Sequence, residues 1–258
     1  MPELSDQSWE QIGQVDAYYG VLTYEQYTRH NLDQVNRDQF FKSGQDHLNW
    51  VLGVIKDQLN SEFSIHRALD FGCGVGRILI PLALESVEAV GMDVAPSMLS
   101  EAKMNCSERG VDNVQLVQSD DMLSELSGRF NFIHSFIVFQ HIPVKRGMKI
   151  FDNLVERLEE NGIGVIHFTY HRNISMFRRI FQRLRQNISL INGLANVLFQ
   201  QRAWNYPALQ MHEYNLSEIF WLLQRHSCQK IHVVFSEHSS PFTTSYGVVL
   251  FFIKGTRQ

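Results

Sequence analysis

The residues whose types and spacing are best suited to chemistry lie between Arg67 and Pro81. Asp70 sits among apolar Ala68, Leu69 and Phe71, glycines follow at 72, 74 and 76, and Ile78, Leu79 and Ile80 take over at once. That order reads as a buried strand, a tight glycine turn and the first turn of a helix. Alternate glycines open backbone dihedrals closed to other residues and let a ligand approach the main chain. Free amides at the helix start favour an electron-rich or anionic partner. Spacing decides between ligands. A dinucleotide fingerprint, G-x-G-x-x-G counted from Gly72, needs glycine at position 77, which is Arg77. No Gly-Lys-Ser/Thr closes the loop as a phosphate-cradling P-loop requires. A nicotinamide-dependent oxidoreductase is therefore disfavoured.

Three further groups could act beside that loop. Asp93 ends a second apolar run, Ala89 to Asp93, where a carboxylate can accept hydrogen bonds from both hydroxyls of a ribose. Asp120 and Asp121 follow a third run, Val114 to Gln118. His141 follows a fourth, Phe130 to Phe136, and reads either as a general base or as a histidine that satisfies a loop or caps a helix. His167 and His171 straddle a strand end with no H-E-x-x-H frame, and Cys73, Cys106 and Cys228 match no zinc spacing, so no metal site is expected.

The spacing Asp70-x-Gly72-x-Gly74-x-Gly76, with the later acids in this order, resembles motif I and its successors in the class I S-adenosylmethionine-dependent methyltransferases. The resemblance covers residues 67 to 170 and 213 to 254. It implies S-adenosylmethionine as cofactor and methyl transfer as activity. Asp93 would be the ribose residue and Asp120, ahead of Asp121, the adenine contact. Position by position, it places the cofactor against Tyr18, Tyr19, Asp70, Gly72, Cys73, Gly74, Gly76, Asp93, Val94, Met98, Asp120, Asp121, Met122, Ser135 and Phe136. For Tyr18 and Tyr19 simple aromatic packing is the competing reading. His141 lies in the segment, Val138 to Pro143, that in the family passes the donor methyl. The family usually has Asp after the aromatic opening strand four, where this chain has Asn131. A noncatalytic cofactor-binding regulator on the same fold is the alternative function.

These groups need a scaffold that brings strand ends together. After residue 67 apolar strands alternate with helical segments, the pattern of a doubly wound sheet. The expected fold is α/β and Rossmann-like, with seven strands, mostly parallel and with an antiparallel last strand. Residues 65–258 form that domain. Residues 1–64 are expected as an N-terminal helical cover, since Leu48, Val51, Leu52, Ile55 and Leu59 mark one face of a helix. Residues 171–212 are too long for a plain connection and are expected as a helical lid over the acceptor. Within it Phe177, Phe181, Leu184 and Ile188 share a face beside six arginines. Those arginines read as a solvated face, an anionic-acceptor site or a membrane-facing surface.

Composition narrows the partners. The 258 residues are 44% hydrophobic, enough for one sizeable domain plus an appendage, and the formal net charge of -4 offers no global attraction to nucleic acid. A small-molecule acceptor is expected and no nucleic acid; the oligomeric state is open. Three scattered cysteines argue against a disulfide framework. With no signal-like start and no apolar run long enough to span a bilayer, the expected location is cytoplasmic.

Overall fold

The computed structural model describes residues 4–199, 202–240 and 243–256. Helices α1 (Leu4–Val21) and α2 (Gln34–Gln58) precede the sheet. The core then runs β1 (Arg67–Phe71), α3 (Leu79–Leu84), β2 (Glu88–Asp93), α4 (Pro96–Glu108), β3 (Val114–Gln118), β4 (Phe130–Ser135), α5 (Val144–Arg157) and β5 (Leu158–Asn173). The segment expected as a lid holds α6 (Met176–Asn187) and α7 (Ser189–Phe199), neither of which lines the cavity described below, and α8 (Leu216–Arg225), β6 (Cys228–Ser240) and β7 (Thr243–Lys254) follow. Strand order is β3-β2-β1-β4-β5-β7-β6; β1 to β5 pair in parallel, and β7 is antiparallel to both its neighbours. This is the Rossmann-like sheet expected. Among the described residues no helix is long and apolar enough to cross a membrane.

Two-residue periodicity divides the core between the faces of the sheet. Ala68, Ala89, Phe132, Val165 and Val249 point toward α1 to α4, while Leu69, Val90, Ile133, Ile166 and Leu250 point toward α5 and α8. Asp33 caps α2 by accepting from the Asn36 amide, and Pro96 opens α4, where its missing N–H costs nothing. Buried Lys254 donates to the carbonyls of Val155, Glu156 and Leu158, satisfying the end of α5.

Three departures from the sequence reading have local causes. The helix after the glycine loop is only six residues long, because turns occupy the chain from Gly72 to Ile78. Glu159 to Gly164, whose Asn-Gly-Ile-Gly composition reads as a turn, lie inside β5 as a break in register: Leu158 pairs with Phe130 and Ile163 with Phe132, with Asn161 at φ 62° between them. Strands β6 and β7 continue beyond Ser236 and before Gly247, pairing down to Ser240 and Thr243. Asn131 also has a structural reason. Its Oδ1 accepts from the amides of His66 and Arg67 and its Nδ2 donates to the Ser64 carbonyl, a donation an aspartate could not make.

Helix α2 touches the glycine loop at Gly44, where an added Cβ would lie 1.9 Å from the Arg77 carbonyl oxygen. That neighbour is backbone and cannot swing aside, so Gly44→Ala should destabilise the fold by about 1–3 kcal/mol. Gly53 lies in the same helix, and a Cβ there would meet nothing within 4 Å, so Gly53→Ala should stabilise by about 0.5–1 kcal/mol. Thermal melts of the two variants should move in opposite directions.

Candidate functional site

The carboxyl ends of the parallel strands, the place where open α/β sheets bind ligands, meet at a cavity of about 510 Å³. Its base is the glycine loop. The amides of Gly72 and Cys73 both donate to the Met92 carbonyl, at 2.7 and 2.9 Å, and the Gly74 amide donates to Asp93 Oδ2 at 2.9 Å. Gly72 (φ 76°) and Gly74 (φ 52°) take left-handed backbone conformations, and a Cβ on them would meet Val138 at 2.3 Å and Val21 at 2.7 Å. The loop is thus clasped between the segment after β4 and the end of α1.

Of the residues singled out in the sequence, Asp70, Gly72, Cys73, Gly74, Asp93, Val94, Met98, Phe136 and His141 line this cavity. The Asp93 carboxylate accepts one backbone N–H on each oxygen, from Gly74 and from Ala95 at 3.0 Å. Burial raises its pKa to about 6 against the pull of those amides, and the charge of Asp70 adds to the rise. Asp70 is held from below by His134 Nδ1 at 2.9 Å, and His134 Nε2 lies 3.0 Å from His47 Nε2. With neutral rings, His134 donates to Asp70 and His47 donates to His134. Burial, with His134 and Arg77 nearby, drives the His47 pKa down to about 2.

Several expected contacts lie elsewhere. Tyr18 is core: its ring meets Phe40 and Phe41 edge-on, its hydroxyl lies 2.8 Å from both Glu101 Oε1 and Asn105 Oδ1, and burial raises its pKa to about 12. Tyr19 packs under the Arg202 guanidinium, which also covers Tyr206, so it joins the N-terminal cover to the lid. The cavity is closed on this side by Gly20 to Tyr24 instead. Asp120 is a turn residue that accepts from the amides of Met122 and Ser124, which lowers its pKa. Asp121 pairs with Arg146, which also grips Asp6 of α1 through two nitrogens. Met122 is exposed, Ser119 takes the place of this trio in the wall, and Gly76 and Ser135 stand behind the lining.

His141 reaches the cavity with both ring nitrogens engaged. Nδ1 donates to the Gln210 carbonyl at 2.9 Å and Nε2 accepts from Gln140 Nε2 at 3.0 Å, while Gln140 Oε1 accepts from buried Thr169 at 2.8 Å. Burial takes the His141 pKa down to about 4. A general base needs a free lone pair, and Gln140 occupies this one. The loop-satisfying reading of the histidine is the one its contacts fit: it clasps the return leg of the lid.

The sequence reading missed the opposite wing. His167 and Thr169 from β5, Ser236 to His238 from β6, and Ser245 and Gly247 from β7 line it, with Leu209 and Met211 of the lid return. Arg77 also reaches the cavity, buried, its Nε without a hydrogen-bond partner and its pKa lowered to about 10 by burial against the stabilising charge of Asp70. A charged residue in front of the run Ile78 to Pro81 was its signal in the sequence; Arg146 and Ser236 carried none.

Residues 68–162 match the family model of a methyltransferase domain. Over 54 residues the chain is 41% identical to a 23S rRNA (uracil(1939)-C(5))-methyltransferase of Shewanella frigidimarina, a match covering 21% of this chain and 12% of that protein. Over 78 residues it is 30% identical to a ubiquinone biosynthesis O-methyltransferase of Chromobacterium violaceum, covering 30% of this chain and 34% of that protein. The matches therefore span well under half the length of these relatives. The crystal structure of magnesium protoporphyrin IX methyltransferase from Synechocystis PCC 6803 with bound SAH superimposes with a TM-score of 0.59 at 14% identity, covering 95% of this chain and 99% of that one. At that identity the likeness is one of fold.

The buried histidines set the response to acid. His47, His141 and His167 bind a proton more weakly when folded, at about 2, about 4 and about 4, than the ~6.5 of an unfolded chain. The unfolded state therefore takes up protons first, and stability should fall as pH drops from about 6.5 towards 4. Asp93 acts in the reverse sense, its contribution being lost as pH rises to about 6, as does Asp16, whose pKa burial raises, but these are two groups against three. Thermal melts across this range should show the decline, and His167→Gln should flatten it; a melting temperature that rises on acidification would contradict the assignment.

Proposed function

We propose that this chain, whose residues 68–162 form a class I S-adenosylmethionine-dependent methyltransferase domain, transfers the cofactor's methyl group to a small-molecule acceptor. The observation that carries the reading is the continuity of one cavity. It runs from the glycine loop and Asp93, which fit a nucleoside, to the polar wing of His167, Ser236 and His238, which is free for a second molecule. At about 510 Å³ the space lies within the roughly 300–1,000 Å³ range of small-molecule sites.

The residues present fit the cofactor. Each oxygen of Asp93 holds one backbone N–H and keeps a lone pair for a ribose hydroxyl. Side chains at positions 72 and 74 would strike Val138 and Val21 in the cavity wall, so glycine is required where the loop meets the cavity. Bound S-adenosylmethionine supplies a methyl group already activated by a positively charged sulfur. The chain's own task is then alignment and the exclusion of water. Gly20 to Tyr24 close one side and Leu209 and Met211 the other, and the chain Thr169–Gln140–His141–Gln210 fixes the return leg in place. A hydroxyl or ammonium acceptor must also lose a proton. With His141 engaged, the proton acceptors lining the distal wing are His167, Glu237 and His238.

An acceptor on RNA is the competing reading, favoured by the similarity to the rRNA enzyme. The closure of the cavity by Gly20 to Tyr24 on one side and by Leu209 and Met211 on the other, together with the net charge of -4, supports the small molecule. Calorimetry should show binding of S-adenosylhomocysteine and none of NAD. Asp93→Ala should weaken that binding by about 1.5–3 kcal/mol for each charged hydrogen bond lost. A radiolabelled-methyl screen of small hydroxyl and amine acceptors alongside RNA then separates the acceptor classes. Tight NAD binding, or an unchanged affinity in the variant, would refute the cofactor assignment.

A further inference from the structure

Helix α6 is amphipathic in the reverse of the usual sense. At about 100° per residue, Phe177, Ile180, Phe181, Leu184 and Ile188 form an apolar stripe roughly 100° wide. The side turned to the protein is the polar one. Arg179 donates to Glu213 at 3.0 Å, Gln186 donates to the Leu209 carbonyl at 3.2 Å, and Gln182 accepts from Arg172 at 3.4 Å. No residue of α6 is buried, and Phe177 is 86% exposed. Helix α7 repeats the arrangement. Asn192 and Asn196 point inward to the Tyr206 carbonyl and to Arg185, while Leu190, Leu194 and Leu198 remain exposed.

Charge identifies what covers this surface. Exposed Arg178 and Arg183 flank the stripe on opposite sides, Arg185 turning instead to Asn192 and Asn196, and the sequence has six arginines and no acidic residue from Arg172 to His212. A second copy docking face to face would bring these like charges together with no carboxylate to meet them. A soluble polyanion would meet the positive charge of the segment and leave the apolar stripe in water. An anionic bilayer satisfies both, taking the stripe into the acyl boundary and the guanidinium groups among the headgroups. We infer that α6 and α7 form a peripheral docking surface for anionic lipid membranes. The inference stands apart from the methyl-transfer reading. The Gln186–Leu209 hydrogen bond joins the docked helix directly to a residue of the cavity wall.

The test is co-sedimentation of the full chain with phosphatidylcholine vesicles, with and without phosphatidylglycerol. Binding should require the anionic lipid and weaken with salt. Arg183→Gln should reduce it by roughly fivefold. Phe177→Ala/Phe181→Ala, which only truncates exposed side chains, should reduce it by more than about tenfold, with circular dichroism and S-adenosylhomocysteine affinity unchanged. Lack of that affinity in the wild type would count against the cofactor assignment and leave this result standing. Absence of vesicle binding overturns the inference. So does a dimer, seen by analytical ultracentrifugation, that dissociates in the phenylalanine variant, or single-stranded RNA that displaces the vesicles.

Discussion

The structure depends on holding the carboxyl ends of β1 and β2 together around a charge taken out of water. Desolvation alone would drive Asp93 to its neutral form, and its raised pKa of about 6 records that pressure. What keeps the group anionic at neutral pH is the backbone: the Gly74 amide reaches it because glycines turn the chain tightly between Phe71 and Arg77, and the Ala95 amide reaches it from the loop that follows Asp93 itself. The same turn sends two further amides to the Met92 carbonyl. Loop, strand end and acid therefore form one unit, and a side chain at Gly72 or Gly74 would disturb all three.

The rest of the cavity floor solves the same problem in another way. Asp70 is buried, hydrogen-bonded to His134, and its charge favours the cationic form of nearby buried Arg77, whose pKa of about 10 keeps it a cation at neutral pH. Burial meanwhile leaves His47, His141 and His167 neutral, so that they serve as hydrogen-bonding groups and add no charge. A buried anion balanced by a buried cation avoids the penalty either would incur alone. The result is a floor that is polar and rigid, with Arg77 Nε still lacking a protein partner.

The parallel strands were legible in the sequence as short apolar-rich runs, the first followed by a glycine and the second closed by an acid. The loop was legible because its left-handed conformations strongly favour glycine. What could not be read was which remote groups a side chain would meet. Tyr18 has the same local pattern whether it faces a cavity or the pair Glu101 and Asn105, and only the packing of α1 on α4 decides. Asp120 and Asp121 stand where an adenine contact was expected, but one is used by its own turn and the other by Arg146 of α5. The apolar stripe of α6 was visible as periodicity, yet periodicity does not say which side a helix presents. Polar anchors to Glu213 and Leu209 settle that, and they lie far along the chain. The distal wing arose from strands β6 and β7 running longer than their apolar cores suggested.

The position of β7 between β5 and β6 bears on how the chain is assembled as it leaves the ribosome. Strands β1 to β5 can pair as they emerge, but the outer edge of β5 finds its partner only after α6, α7, α8 and β6 have all been made. During that interval the nascent chain presents an unpaired edge carrying Val165, Ile166 and Phe168, residues that are fully covered in the finished protein. Such an edge is a template for pairing with other chains. The stretch that carries α6 and α7 thus lengthens the time for which that edge waits for β7.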